Sequence, residues 1–189
     1  MELIGGRERR EIVLVRHDPA WAGRALRLRR RIAAALAGVA VRVEQIGSTA
    51  VPGLAAKPIV DLQLSVDGLP DEEPLSEPLE RLGFELRVRE RDHLMYRTPA
   101  HDVHLHVWVA GSDDERRHLL FRDWLRRSPA DRDRYGAVKA ELAARDWGDM
   151  NDYAQAKSAV IAEITARAEA WARASGWRMP DPLPHAPAL

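Results

Sequence analysis

The 189-residue chain contains no cysteine. This absence excludes disulfide bonds, a thiol nucleophile and zinc sites built on thiolates. No apolar run reaches the roughly 18 residues that a membrane-spanning helix requires. The N-terminal residues also lack the apolar core of a signal peptide. Together these absences predict a cytoplasmic protein with no membrane partner.

Net charge is also lacking, because 29 acidic residues balance 29 basic ones. Proteins that bind nucleic acid through their general surface usually carry an excess of positive charge, so we expect no such partner. Lysine is scarce, and the only three are Lys57, Lys139 and Lys157. Genome composition is one explanation for a bias toward arginine. A second is that a compact ammonium group is needed at these sites, since the larger, planar guanidinium cannot replace it everywhere.

The first 110 residues alternate between strand-like and helix-like patterns. Apolar runs of strand length predict a β-hairpin and four further strands; the strands are 12–15, 39–46, 58–66, 84–88, 93–98 and 103–109. Asp18-Pro19 predicts the start of a helix that runs to Leu36, because Asp caps helices and Pro suits their first turn. Residues 67–77 are predicted to form a loop, followed by a short helix that ends at Leu82 and is capped by Gly83.

From residue 113 onward the apolar residues repeat with a helical period. The pattern predicts helices at 113–127, 129–145 and 151–174. The proline-rich residues 175–189 lack periodicity and predict a loose tail. The expected fold class is therefore α+β, with a mixed β-sheet and flanking helices in residues 1–110 and a C-terminal helical cap in residues 111–174.

Two of the predicted strands carry polar side chains on one face only. In strand 58–66 these are Asp61, Gln63 and Ser65, and in strand 103–109 they include His104 and His106. If the strands are neighbours, Asp61 can meet the two histidines, and a carboxylate with imidazoles is a plausible ligand set for a divalent metal. A half-exposed antiparallel strand would show the same alternation, so both interpretations stand.

The loop between strands 39–46 and 58–66 is rich in small residues and hydroxyl groups. Gly47, Ser48 and Thr49 offer backbone N–H groups that can approach a phosphate closely. The loop is not a P-loop, since it lacks the Gly-Lys-Ser/Thr ending, but Lys57 follows it.

In the helical cap, several side chains could close over a nucleotide, the tyrosine by stacking and the cations at phosphates. These are Arg122, Arg126, Lys139, Tyr153 and Lys157. The alternative is that these residues face solvent and only their apolar neighbours pack the cap.

The central stretch IGSTAVPGLAAKPIVDL closely resembles the signature of the GrpB family, also labelled UPF0157. Two later stretches, LLFRDWLRRSPADRDRYGAVKAELA and YAQAKSAVIAEI, resemble the family's C-terminal helices, as does the His-x-His strand. The resemblance implies a nucleotidyltransferase-like fold. Domains related to this family also occur fused to dephospho-CoA kinase in some bacteria.

The resemblance implies roles for single residues. Gly47 and Ser48 would hold the phosphates of a nucleoside triphosphate near Lys57, and Asp61 would bind Mg²⁺. Nucleotidyltransferases carry Asp-x-Asp, but here Gln63 takes the place of the second carboxylate. Gln45 likewise stands where the family motif is expected to have histidine.

The missing carboxylate makes a pair of magnesium ions a poor fit, because Mg²⁺ prefers oxygen ligands. A single ion held by Asp61, His104 and His106 suits Mg²⁺ or Mn²⁺, or the softer Zn²⁺. The first hypothesis is transfer of a nucleotidyl group to a small-molecule acceptor, with these three residues as the catalytic set. The second is a catalytically degenerate nucleotide-binding or accessory module. Metal-dependent hydrolysis at the same face is a third.

Overall fold

The computed structural model describes residues 2–4, 6, 11–69, 73–147 and 150–184. Within these residues the strands are Glu2–Leu3 (β1), Ala40–Ile46 (β2), Val60–Val66 (β3), Glu85–Glu90 (β4), His93–Arg97 (β5) and Val103–Val109 (β6). The helices are Ala20–Ala35 (α1), Glu73–Arg81 (α2), Asp113–Arg127 (α3), Pro129–Ala143 (α4), Met150–Ala156 (α5) and Ser158–Ser175 (α6). A 3₁₀ turn spans Ser48–Ala50.

The strands form one mixed sheet in the order β1-β4-β5-β6-β3-β2. β3 and β6 run parallel at its centre, and the other neighbours are antiparallel. The expected α+β class, a mixed sheet with flanking helices, is confirmed. None of the helices in the described part of the chain is long and apolar enough to cross a membrane.

The two faces of the central strands have different neighbours. On one face, buried aliphatic residues of β3 and β6 such as Leu62 and Leu105 join a core with Ile32 of α1 and Leu75 of α2. On the other face, α3 covers part of β3, and Gln63 donates to the backbone of Glu115. The side-chain alternation read from the sequence therefore separates an apolar core from a polar layer.

Several predicted elements differ in the structure. Residues 12–15 do not form a strand; Val15 alone makes a bridge, to Ala56, because no neighbouring strand extends the pairing. The predicted loop at 67–77 is wrong over its second half, since α2 already begins at Glu73 and contains Pro78. Burial of Leu75 and Leu79, one turn apart, overrides the unfavourable proline.

The last predicted helix is divided. α5 ends at Ala156 and α6 begins at Ser158, with Lys157 at the break between them. Residues 148–149, at the predicted helix boundary, lie outside the described part of the chain. The break places Tyr153 and Lys157 at the candidate site.

The C-terminal tail has no regular secondary structure over 177–184, yet it is attached to the sheet. The Leu183 N–H donates to the carbonyl of Val41 at 2.8 Å, and Arg42 Nε donates to the carbonyl of Pro180 at 2.8 Å. This part of the tail is therefore fixed rather than loose. Residues 185–189 lie outside the described part of the chain.

Candidate functional site

Asp61 and His104 occupy paired positions on the parallel strands β3 and β6. His104 Nδ1 lies 3.3 Å from Asp61 Oδ1. Potential ligand atoms of Asp61, His104 and His106 all lie within 4.8 Å of one another. The condition set in the sequence analysis, that the two strands are neighbours, is met. Asp61, His104 and His106 are half-buried, whereas Gln63 on the same face is fully buried, so this face is not evenly half-exposed as the alternative requires.

The surroundings of Asp61 and His106 favour the protonation states that bind metal ions. Burial raises the pKa of Asp61, but the hydrogen bond with His104 and the charges of His104, His106 and Lys57 outweigh it and hold that pKa below its usual value. Burial lowers the pKa of His106 to about 3. The aspartate is thus ionised and His106 is neutral, as metal coordination requires.

The donor set fits one divalent ion with mixed ligands. One carboxylate and two imidazoles suit Mn²⁺ or Zn²⁺ better than a pair of Mg²⁺ ions. Gln63, at the position of a second carboxylate, has its amide directed to the backbone carbonyl of Glu115 at 3.3 Å. Its side chain belongs to the buried layer under α3.

Gly47 is fixed by its contact with Asp61. Its φ of +70° lies in the region that favours glycine, and a Cβ added there would overlap the Asp61 carboxylate. The backbone of the Gly47-Ser48 loop therefore passes directly against the acidic group. Thr49 is buried next to Gln45, with Nε2 and Oγ1 3.5 Å apart.

All three lysines of the chain line one cavity of about 210 Å³ at this loop. Lys139 Nζ donates to Ser48 Oγ at 3.0 Å and to the carbonyl of Ala55 at 2.5 Å. Lys157 Nζ lies 4.5 Å from the centre of the Tyr153 ring, and Lys57 Nζ lies 5.6 Å from it. Three ammonium groups and one carboxylate thus face the same space.

Burial and the charges of neighbouring lysines lower the pKa values of Lys139 and Lys157. Burial, with the charges of Lys157 and Lys57, lowers the pKa of Lys139 to about 7. Burial, with the charge of Lys57, lowers the pKa of Lys157 to about 8. A polyanion in the cavity would relieve this repulsion.

The structure brings together nearly all residues that the sequence singled out. The cavity is lined by Gly47, Ser48, Thr49, Lys57, Asp61, His104, Lys139, Tyr153 and Lys157. His106 does not line the cavity, but one of its ring nitrogens lies within 4.8 Å of potential ligand atoms of Asp61 and His104.

Two expected roles change. Tyr153 is 1% exposed, and it lies beneath the lysines instead of offering an open ring to a base. Arg122 donates to Glu44 and to the carbonyl of Gln45, and Arg126 donates to the carbonyl of Ala50. The arginines therefore fix α3 to β2 and the loop.

The sequence analysis did not identify several residues that lie at or beside the candidate site. Tyr135 lines the cavity one helical turn before Lys139, and this i, i+4 spacing could have indicated it. His93 Nε2 lies 3.1 Å from His106 Nδ1, and His93 Nδ1 lies 3.0 Å from Glu90 Oε2. These two partners lie in the β4–β5 hairpin, and the order of strands in the sheet was needed to place them beside β6.

The fold is that of a nucleotidyltransferase-like domain. The Cid1 poly(U) polymerase has the same fold, with a TM-score of 0.50 at 11% identity over 67% of this chain and 43% of that chain. GrpB from Enterococcus faecalis is more similar, with a TM-score of 0.75 at 31% identity over 84% of this chain and 99% of that chain. The profile of the family described as "GrpB protein" matches residues 11–167. The chain belongs to the GrpB family.

Curated relatives agree with this assignment. The UPF0157 protein SCO7215 of Streptomyces coelicolor is 51% identical over 90% of this chain and 91% of its own length. The UPF0157 protein BH1888 of Halalkalibacterium halodurans is 43% identical over 84% of this chain and 83% of its own length. A dephospho-CoA kinase of Mycobacterium leprae is 32% identical over 88% of this chain, but the match spans only 48% of that protein.

Proposed function

We propose that the cavity binds a nucleoside triphosphate with one divalent metal ion and that the protein transfers a nucleotidyl group to a small-molecule acceptor. One observation carries this proposal. The Gly47 backbone lies against the Asp61 carboxylate in the same cavity where all three lysines converge. Phosphoryl transfer needs an acid that binds a metal ion, a loop whose backbone can approach the phosphates, and cations that balance their charge.

In this proposal each group acts on the triphosphate. The backbone and hydroxyls of Ser48 and Thr49 bind phosphate oxygens, and the lysines balance their charge. Asp61, His104 and His106 hold the metal ion, which when bound neutralises charge that develops on the leaving pyrophosphate. Tyr153 keeps Lys57 and Lys157 directed into the cavity.

The test replaces the acid. Asp61→Asn removes the carboxylate charge at nearly constant size, so we expect at least tenfold weaker binding of Mn²⁺ with ATP in titration calorimetry. Asp67→Asn is the matched control, because Asp67 follows the same strand on the exposed surface. Equal affinities in the two variants would refute the proposed site.

A second candidate function is a nucleotide-binding or accessory module without catalysis. It is favoured by Gln63, which is fully buried and leaves the site with one carboxylate. The similarity to part of a dephospho-CoA kinase accords with an accessory role. Release of pyrophosphate that depends on Asp61 supports transfer, whereas tight binding without release supports the module.

We also propose that residues 1–110 form a core and that residues 111–174 form a cap on it. In this arrangement the cap supplies Lys139, Tyr153 and Lys157 to a site whose acid and loop come from the core. The cytoplasmic location expected from the cysteine-free sequence is likewise retained, since nucleoside triphosphates are available there.

A further inference from the structure

A groove of about 740 Å³ adjoins the cationic cavity. Gly47, Ser48 and Tyr135 line both spaces, so the two meet at the phosphate-binding loop. Helices α3 and α6 form the walls of the groove. Its volume lies within the range of about 300–1,000 Å³ that is typical of small-molecule sites.

The groove is mainly apolar. Its lining includes Val51, Phe121, Leu125, Ile161, Ala162 and Ala166. Ala162 and Ala166 remain exposed although α6 packs against α3, because their methyl groups are too short to fill the space between the helices. An apolar occupant would bury this surface and gain the hydrophobic free energy of removing it from water.

The charged side chains that line the groove are each already paired. Arg117 bonds to Asp114 at 2.6 Å. Arg122 bonds to Glu44 at 2.8 Å. Glu169 accepts hydrogen bonds from both Nη atoms of Arg116, one of them at 2.9 Å. A charged ligand would have to compete with these ion pairs, so the groove favours an uncharged one.

Two polar side chains, Thr165 and His118, are in the lining of the groove. Thr165 Oγ1 is buried and has no hydrogen-bond partner among the described residues. His118 Nδ1 lies 2.7 Å from the carbonyl of Asp114. A carbonyl only accepts hydrogen bonds, so the proton sits on Nδ1 and Nε2 of the neutral ring keeps its lone pair. The groove thus has a mainly apolar lining that also includes polar side chains.

The geometry points to this groove as the acceptor site, for an uncharged, largely apolar alcohol whose hydroxyl lies at the Gly47-Ser48 loop. This inference rests on the proposed function. The acceptor oxygen would form a bond to the α-phosphorus of the nucleotide while the bond from that phosphorus to the β-phosphate oxygen breaks. Pyrophosphate leaves with that oxygen and the bonding electrons, and the hydroxyl proton passes to solvent.

The absence of cysteine makes a selective test possible. Ala162→Cys introduces a single thiol in the groove, and alkylation with N-benzylmaleimide fills the space. Ala174→Cys, labelled in the same way, is the matched control, because Ala174 is exposed on α6 and does not line the groove. The probe is 2-naphthol, an apolar alcohol whose binding is followed by its fluorescence.

We expect saturable naphthol binding to the unmodified chain and to the labelled Ala174→Cys control, and at least tenfold weaker binding to labelled Ala162→Cys. Circular dichroism spectra of labelled Ala162→Cys that match those of the parent chain separate blocking from misfolding. Equal naphthol affinities in the two labelled proteins would overturn the groove assignment. Dissociation of a dimer on labelling at 162, seen by light scattering, would overturn it too, because the groove would then be an interface between copies.

Titration of the same proteins with Mn²⁺ and ATP separates this inference from the one on which it rests. Nucleotide affinity within twofold in both labelled proteins, together with the selective loss of naphthol, supports the acceptor site. If no form binds nucleotide, the proposed function fails and the acceptor role fails with it. Equal naphthol affinities with intact nucleotide binding would leave the proposed function standing and refute the groove alone.

Discussion

Strand β3 presents two different environments on a single face. At one end Asp61 opens into the cationic cavity. Two and four residues further on, Gln63 and Ser65 are completely buried under α3. Positions two residues apart on the same strand thus lie at the candidate site and in the buried layer, respectively.

The buried end is organised by Glu115 of α3. Its carboxylate accepts hydrogen bonds from Arg42, from the hydroxyl of Ser65 and, at 2.6 Å, from the backbone N–H of Gly111. A charge removed from water in this way must be paired and hydrogen-bonded. Gln63 therefore belongs to a buried layer that attaches α3 to the sheet.

The largest expected effect breaks this buried network. Glu115→Ala leaves Arg42 buried without its main partner, so we expect a loss of about 3–5 kcal/mol in the free energy of unfolding, measured by urea denaturation. Glu141→Ala, which removes an exposed pair with Arg145, should change stability by less than about 1 kcal/mol. Similar losses in the two variants would show that the network does not hold α3.

A smaller effect is expected at the open end of the strand. Gly47→Ala forces a side chain into a glycine conformation and against Asp61, which should cost about 1–3 kcal/mol of stability. It should also abolish Mn²⁺-dependent ATP binding in calorimetry. Gly68→Ala is the control, because a Cβ at that position meets no atom within 4 Å. An alanine at 47 that binds ATP normally would contradict the close approach of the loop to the ligand.

The smallest expected effect is a pH dependence of the affinity for polyphosphate. Lys139 and Lys157 have pKa values lowered to about 7 and about 8, so both lose charge as the pH rises through this range. Bound phosphates favour the charged amines and raise these pKa values, so the complex binds more protons than the free protein. Affinity for inorganic triphosphate should therefore fall as the pH rises from 7 to 9, by about tenfold or less.

Calorimetry at pH 8 in two buffers of different ionisation enthalpy measures this proton uptake directly. Lys139→Met should reduce the uptake and flatten the pH dependence of the affinity. Identical heats in the two buffers would show that the lysines do not change protonation when the anion binds.

Much of the site was accessible from the sequence because its parts are local. Asp61 and the Gly47-Ser48 loop are close in sequence. Strand periodicity predicts which residues lie with Asp61 and with His104 on one face of each strand, and the pairing of β3 with β6 brings the two faces together. The central strand Val103–Val109 and helix Asp113–Arg127 have the predicted bounds, because each has a regular apolar period that burial reinforces.

The features that could not be predicted from the sequence depend on contacts between residues that are far apart in the chain. The pairing of Arg42 with Glu115 joins residues 73 positions apart, and no local pattern indicates it. The helix that contains Pro78 forms because Leu75 and Leu79 are buried in the core, and helix propensity alone does not predict this burial. The short strand Glu2–Leu3 exists only through its pairing with β4.

The concentration of lysine in one cavity has a chemical consequence. Because Lys57, Lys139 and Lys157 all line it, every side-chain amine of this protein reports on the same space. Amines with lowered pKa values are partly unprotonated near neutral pH and are then nucleophilic. Reductive methylation with ¹³C-formaldehyde would consequently place NMR-visible methyl groups at the cavity and at the chain's α-amino group, and on no other amine, which makes the candidate site spectroscopically isolated from the rest of the molecule.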